Sequence, residues 1–249
     1  MTVEHAPRIS THPSREELGR AAATAAAGEI LKAIADGGRA RIMLAAAPSQ
    51  TATLTALAAE PGLDWSRVEC FHMDEYVGLD PAAPQSFRNW LRRNFLDKVP
   101  QATFRPLDPE DGPDAYAKLM GDEPFDLVLF GLGVNGHLAF NDPPADFVTK
   151  RAYLVVQLDE ACRRQQVGEG WFASLDDVPR QAISMSVSQI LATREILAIV
   201  PESRKAQAVH DCFDGPVSVD HPASVLQNHA HTTIFLDAQS ASLLERATS

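Results

Sequence analysis

The chain has 249 residues, 45% of them hydrophobic, and a net charge of −11. That length and apolar content suit a sizeable buried core, while the acidic balance repels phosphate backbones and anionic lipid and so argues against nucleic-acid and membrane partners. Cys70, Cys162 and Cys212 are odd in number, far apart and without C-x-x-C spacing, which argues against a disulfide frame or zinc site and points to a reducing cytoplasm.

The N-terminal stretch lacks a charged-then-apolar signal pattern, and no apolar run approaches the roughly 20 residues of a membrane span. Ser14 and Glu17 form a capping box ahead of an Ala-rich helix that Gly37 and Gly38 stop. RARIMLAAA (39–47) reads as a buried strand, PSQTA as a turn and TLTALAAE as a helix. WSRVECFHMDEY ends in a second strand, and amphipathic SFRNWLRRNFLDKV and PEDGPDAYAKLMGD read as helices. FDLVLFGLG is a third strong strand. Residues 152–158, 182–186 and 195–200 read as further strands, separated by helices in DEACRRQQVGEGW and VSQILA, with a further helix in ESRKAQAVHDCF. HTTIFLD and AQSASLLERA close the chain as a strand and a helix. Apolar strands alternating with helices predict one α/β domain over residues 1–249, with a mostly parallel sheet covered on both faces.

Ligands of such sheets sit at the carboxyl ends of the strands. That rule selects AAAPSQ (45–50), FHMDEYVGL (71–79) and FGLGVNGHLAFNDP (130–143). The last contains a literal G-x-G-x-x-G at Gly131, Gly133 and Gly136. A dinucleotide site needs a long helix after the glycines and an acid about 20 residues on. Here prolines at 143 and 144 follow, Asp146 comes too early and Asp159 opens a helix, so the dinucleotide reading fails. The loop instead gathers Asn135, His137, Asn141 and Asp142, and a His beside a carboxylate can shuttle protons near neutral pH. In the second loop, adjacent Asp74 and Glu75 point opposite ways on extended chain. One can face a cleft, or both can belong to a solvated acidic turn.

MDEYVGL (73–79) and NGHLAFNDP (135–143) together resemble the two active-site strings of the glucosamine-6-phosphate deaminase/isomerase family, whose fold superfamily includes 6-phosphogluconolactonase and ribose-5-phosphate isomerase. SFRNWLRRNFLDKV, VPRQAISMSVSQIL, SRKAQAV and VLQNH echo it along most of the chain. The resemblance implies a Rossmann-like α/β fold and a cytoplasmic enzyme without metal or organic cofactor, whose partner is a small phosphosugar, with self-association left open. It implies that Asp74 is the enolisation base and that His137 opens the sugar ring, supported by Asn135 and Asp142. It also implies that Lys205 binds phosphate and that Arg163 meets the substrate, with Gly136 in the binding loop.

The chain departs from the family at Asn135, where many members have Asp, and at Asp142, where many have Glu. The larger departure is AAAPSQ, which replaces a glycine-rich phosphate loop; Ser49, Gln50 and the following helix N-terminus are the donors left to hold the phosphate, and a helix-cap role for Ser49 is equally open. His72 reads as a buried, satisfied imidazole, and His221, His229 and His231 lack metal spacing. The alternatives are an isomerase or deaminase for another sugar phosphate, then a 6-phosphogluconolactonase, then a non-catalytic sugar-phosphate sensor. The sensor would need a DNA-binding segment, and no such module precedes residue 39.

Overall fold

In the central strands successive side chains enter opposite layers, as the two-residue strand period requires. Ile42 and Leu44 join one apolar cluster with Leu129, Leu197 and Ile199, while Met43 joins the other with Val128, Phe130, Ala198 and Val200. These residues form a doubly covered sheet in the computed structural model, which describes residues 7–245.

In chain order the elements are β1 (Arg8–His12), α1 (Arg15–Gly37), β2 (Ala40–Leu44), α2 (Thr51–Ala58), β3 (Val68–His72) and β4 (Asp74–Tyr76). There follow α3 (Phe87–Asn94), β5 (Thr103–Arg105), α4 (Gly112–Met120), β6 (Leu127–Phe130), β7 (Tyr153–Gln157) and α5 (Glu160–Gly168). The last are β8 (Gln181–Met185), α6 (Val187–Ile190), β9 (Glu195–Val200), α7 (Ala206–Phe213) and β10 (Thr232–Asp237). The main sheet has seven strands in the order β1-β10-β9-β6-β2-β3-β5, every pair parallel. From β2 the chain steps outward to β3; from β6 it steps the other way, to β9. The crevice lies at that switch point, at the carboxyl ends of β2 and β6.

Three expectations change. The strands read at 152–158 and 182–186 do not join the parallel sheet: β7 and β8 pair antiparallel with each other, and β8 with β4, as a separate three-stranded sheet. The single strand read through FHMDEY breaks at Met73, whose N–H bonds to Leu44 O at 3.1 Å in one sheet while its carbonyl accepts Met185 N at 2.8 Å in the other. The C-terminal helix read at 238–247 is a series of turns as far as the described residues run. Asp237 Oδ1 accepts Gln239 N at 3.1 Å and Ser240 N at 2.7 Å, which caps a first turn, but beyond it the chain continues only in isolated turns, with Ser242 N bonding Gln239 O at 3.3 Å and Leu244 N bonding Ala241 O at 3.0 Å.

The first helix starts and stops on its local signals. Ser14 Oγ accepts Glu17 N at 3.2 Å, and Gly38 takes the left-handed conformation at φ 79°, returning its N–H to Ile34 O. No helix among the described residues is long and apolar enough to cross a membrane.

Candidate active site

The loops after β2, β3, β6 and β9 converge on one cleft, lined by Ser49, Asp74, Gly131, Gly133, His137, Arg204 and Lys205, with Gln165, Gln166, Glu169 and Trp171 from α5 and the turn after it. Asp74 and Glu75 divide as alternation on an extended strand predicts. Glu75 turns inward and accepts Ser86 Oγ at 2.8 Å, Phe87 N at 3.0 Å, Arg88 N at 3.0 Å and Tyr76 N at 3.1 Å. It thereby caps α3, satisfying amides that a helix start leaves open. Asp74 faces the cleft, only 7% exposed, and no donor among the described residues bonds its carboxylate. Burial, reinforced by the neighbouring Glu75 charge, pushes its pKa up to about 8.

His72 is buried and satisfied, as read from the sequence. Its Nε2 accepts Leu107 N at 2.7 Å, which leaves Nδ1 to donate to Asp74 O at 3.1 Å. Burial holds it neutral, with a pKa near 3.

The β6 loop assembles the second group. His137 Nδ1 lies 2.7 Å from Asn135 Oδ1 and 3.1 Å from Asp142 Oδ1, and Asn135 Nδ2 donates to Asp142 Oδ1 at 2.9 Å. Asn135 Oδ1 also accepts His137 N at 3.2 Å, which fixes the amide orientation. With two acceptors on Nδ1, that nitrogen carries the proton and Nε2 is the ring's free nitrogen. Burial works to raise the pKa of Asp142, but the hydrogen bond and charge of His137, with help from Asn135, outweigh it and hold it at about 2.

The glycines serve this geometry. A Cβ on Gly133 would sit 2.2 Å from His137 Nδ1, and Gly136 turns the loop at φ 80°. Gly136 itself packs toward Cys212 behind the loop rather than into the cleft. Asn141 also turns away, its amide bonding Leu138 O at 2.7 Å and Met185 O at 2.8 Å.

At the other end Lys205 is 5% exposed and its ammonium has no hydrogen bond or ion pair among the described residues. Burial pulls its pKa down to about 8, against the attraction of Glu169. Ser49 lines the cleft; Gln50 lies beneath it, fully buried. Arg163 is not brought to the cleft. Its guanidinium bonds the carbonyls of Val178, at 3.2 Å, and Leu175, tying α5 to the segment that follows it.

Sequence reasoning missed Arg204, which pairs with Glu202 at 2.6 Å and Glu169 at 3.4 Å; its place beside Lys205 in ESRKAQA was the available signal. Glu169 and Trp171 enter through α5 and its exit, and nothing local in DEACRRQQVGEGW marks which of its side chains face inward. Among the described residues no group of three His, Cys, Asp or Glu side chains is placed to hold a metal.

A family described as glucosamine-6-phosphate isomerases/6-phosphogluconolactonase matches residues 13–235. A glucosamine-6-phosphate deaminase of Streptococcus pneumoniae (strain 70585) is 38% identical over 192 residues, 75% of this chain and 80% of that one. Among solved structures, a monomeric glucosamine-6-phosphate deaminase superposes with a TM-score of 0.83 at 28% identity, covering 95% of this chain and 99% of that one. The 6-phosphogluconolactonase of Trypanosoma cruzi shares the fold, with a TM-score of 0.79 at 19% identity over 98% of this chain and 99% of that one.

Proposed function

The chain belongs to the glucosamine-6-phosphate isomerase/6-phosphogluconolactonase family, and on that premise we propose that it converts glucosamine-6-phosphate and water to fructose-6-phosphate and ammonia. The observation that carries the reading is one cleft holding a buried carboxylate (Asp74), an imidazole oriented by a carboxylate (His137) and a buried ammonium (Lys205), the first and last without a partner among the described residues.

The chemistry follows from these groups. His137 Nε2 takes the proton of the C1 hydroxyl and returns one to the ring oxygen, opening the sugar; Asp142 steadies the imidazolium that forms between the two transfers. Asp74 removes the proton from C2, which the adjacent carbonyl acidifies, and delivers it to C1. The C2 amine becomes an imine, water adds to C2 and ammonia leaves, so proton transfers and one water balance the reaction. A carboxylate raised to about 8 is a far stronger base than an exposed aspartate, which suits it to a weakly acidic C–H. Lys205, with Ser49 and Arg204, receives the 6-phosphate and sets its distance from the reacting carbons.

Incubating the protein with glucosamine-6-phosphate and measuring ammonia and fructose-6-phosphate tests the reading; absence of turnover at millimolar substrate removes this substrate. A second reading, a related deaminase or isomerase for another sugar phosphate, is favoured by the glycine-free 45–50 loop and by Arg163 lying outside the cleft. A panel of phosphosugars ranked by kcat/KM separates the two.

A further inference from the structure

Gln50 makes no wall of the cleft and has no exposed surface, yet its amide touches the hydroxyl that does line it. Gln50 Nε2 lies 3.2 Å from Ser49 Oγ and 3.4 Å from the carbonyl oxygen of Ile199 in β9. A carbonyl can only accept, so the Ile199 contact fixes which end of the amide is nitrogen. Both amide protons are then assigned, one to Ile199 O and one to Ser49 Oγ. Ser49 is thus an acceptor from below, and its own single proton must leave in another direction. The other end of the amide, Oε1, is buried without a partner among the described residues, an arrangement that packing alone does not favour over an apolar side chain of the same length. The fit is also close, since a Cβ on Gly131 would come within 3.1 Å of Ser49 Oγ and 3.2 Å of Gln50 Nε2.

We propose that Gln50 is a positioning residue for anion recognition: its amide ties Ser49 to β9 and turns the Ser49 hydroxyl proton into the cleft, where it donates to the phosphate of the substrate. This rests on the sugar-phosphate reading of the cleft, and it gives the glycine-free loop a directed side-chain donor in place of backbone amides. Because Ile199 stands in the strand that leads to Arg204 and Lys205, the same contact links the two halves of the anion site.

The test titrates inorganic phosphate into the full-length protein by calorimetry, for the wild type, Ser49→Ala, Gln50→Leu and the double variant. Losing one directed hydrogen bond to a charged group weakens phosphate binding about tenfold in each single variant. The double variant is no weaker than either single, because both remove the same donor. KM for glucosamine-6-phosphate rises by the same factor without a matching fall in kcat. The melting temperature of Gln50→Leu does not drop, since the substitution also removes the unpartnered Oε1. Gln50→Met repeats the measurement should the branched side chain prevent folding.

Phosphate affinity of both Gln50 variants within about twofold of wild type, or losses that multiply in the double variant, would overturn the proposal. So would a wild type that binds no phosphate. The calorimetry needs no turnover, so a protein that shows the predicted phosphate pattern but fails to release ammonia supports this inference while removing the deaminase reading.

Discussion

Replacing Asp74 by Asn should abolish most of the activity and make the protein more stable. In the folded state burial raises the Asp74 pKa to about 8, whereas in the unfolded chain it is an ordinary aspartate near about 4. Between those values the folded protein holds a proton that the unfolded chain has released, so the Asp74 contribution to stability is lost as pH rises. Each pH unit in that window costs the wild type about 1.4 kcal/mol and the amide nothing. From pH 5 to pH 7 the advantage of Asp74→Asn therefore grows by about 3 kcal/mol, and at pH 7 it reaches about 4 kcal/mol. Titrating groups that do not feel the Asp74 charge are common to both proteins and cancel in the difference; the neighbouring Glu75 interacts with Asp74 and contributes to it. Urea unfolding of wild type and variant at both pH values gives the quantity directly. A gap that stays constant between pH 5 and pH 7 refutes a raised pKa at Asp74, and with it the strong-base argument. The same variant should lose about 10²- to 10⁴-fold in kcat as a missing general base does; full activity would refute the assigned role.

Three further outcomes follow from the same geometry. Lys205→Met should raise KM for glucosamine-6-phosphate about 10- to 100-fold, the range for a hydrogen bond to a charged group. It should also abolish the loss of affinity that the wild type shows as pH climbs through about 8 and Lys205 gives up its proton, as initial rates across pH 6–10 will read (an assay range of about four units). Glu75→Ala leaves the amides of Tyr76, Phe87 and Arg88 and the Ser86 hydroxyl without their acceptor and should cost about 3 kcal/mol in denaturant unfolding, more than Glu75→Gln, which keeps one oxygen. Gly133→Ala forces the His137 ring aside; kcat should fall at least about tenfold while melting changes less, because a small misplacement of a proton-transfer group is costly to rate.

What the sequence made legible is what local physics determines. The alanine helix, with Ser14 at its start and Gly38 at its end, and the apolar strands β2, β6, β9 and β10 carry their own signals. The strand-end rule then found three of the four strand-end loops that line the cleft. The separate antiparallel sheet was not legible, because three-residue β4 announces nothing by itself and its partner β8 lies about a hundred residues away. The polar edge strand RISTH and the short strand TFR were missed for a related reason: at 5 and 3 residues they form because a neighbour offers an open edge. Arg163 shows the limit of carrying a residue over by spacing. Its place in α5 does not decide its partner: whether a guanidinium there faces the cleft or nearby carbonyls depends on the turn at 175–178.

The site's division of labour comes from donors rather than from residue type. Asp74, Glu75 and Asp142 are all carboxylates at loop ends, and two are sequence neighbours. Asp142 accepts hydrogen bonds from His137 and Asn135, and its pKa falls to about 2 despite burial, so it stays charged, as the role proposed for it beside His137 requires. Glu75 has four donors and is nonetheless raised by burial, but those donors occupy both of its oxygens and leave it no free lone pair aimed at a substrate. Of the three, Asp74 alone combines burial with unoccupied oxygens, and that combination suits the base role proposed for it. The same logic explains why Met73 matters without touching anything reactive. By bonding to β2 on one side and β8 on the other it carries the chain from one sheet to the next, so the residue after it emerges in the cleft, where burial is strong and no donor among the described residues bonds the carboxylate. Moving that crossing by one residue would exchange Asp74 and Glu75, placing the base under the cap of α3 and the cap in the cleft.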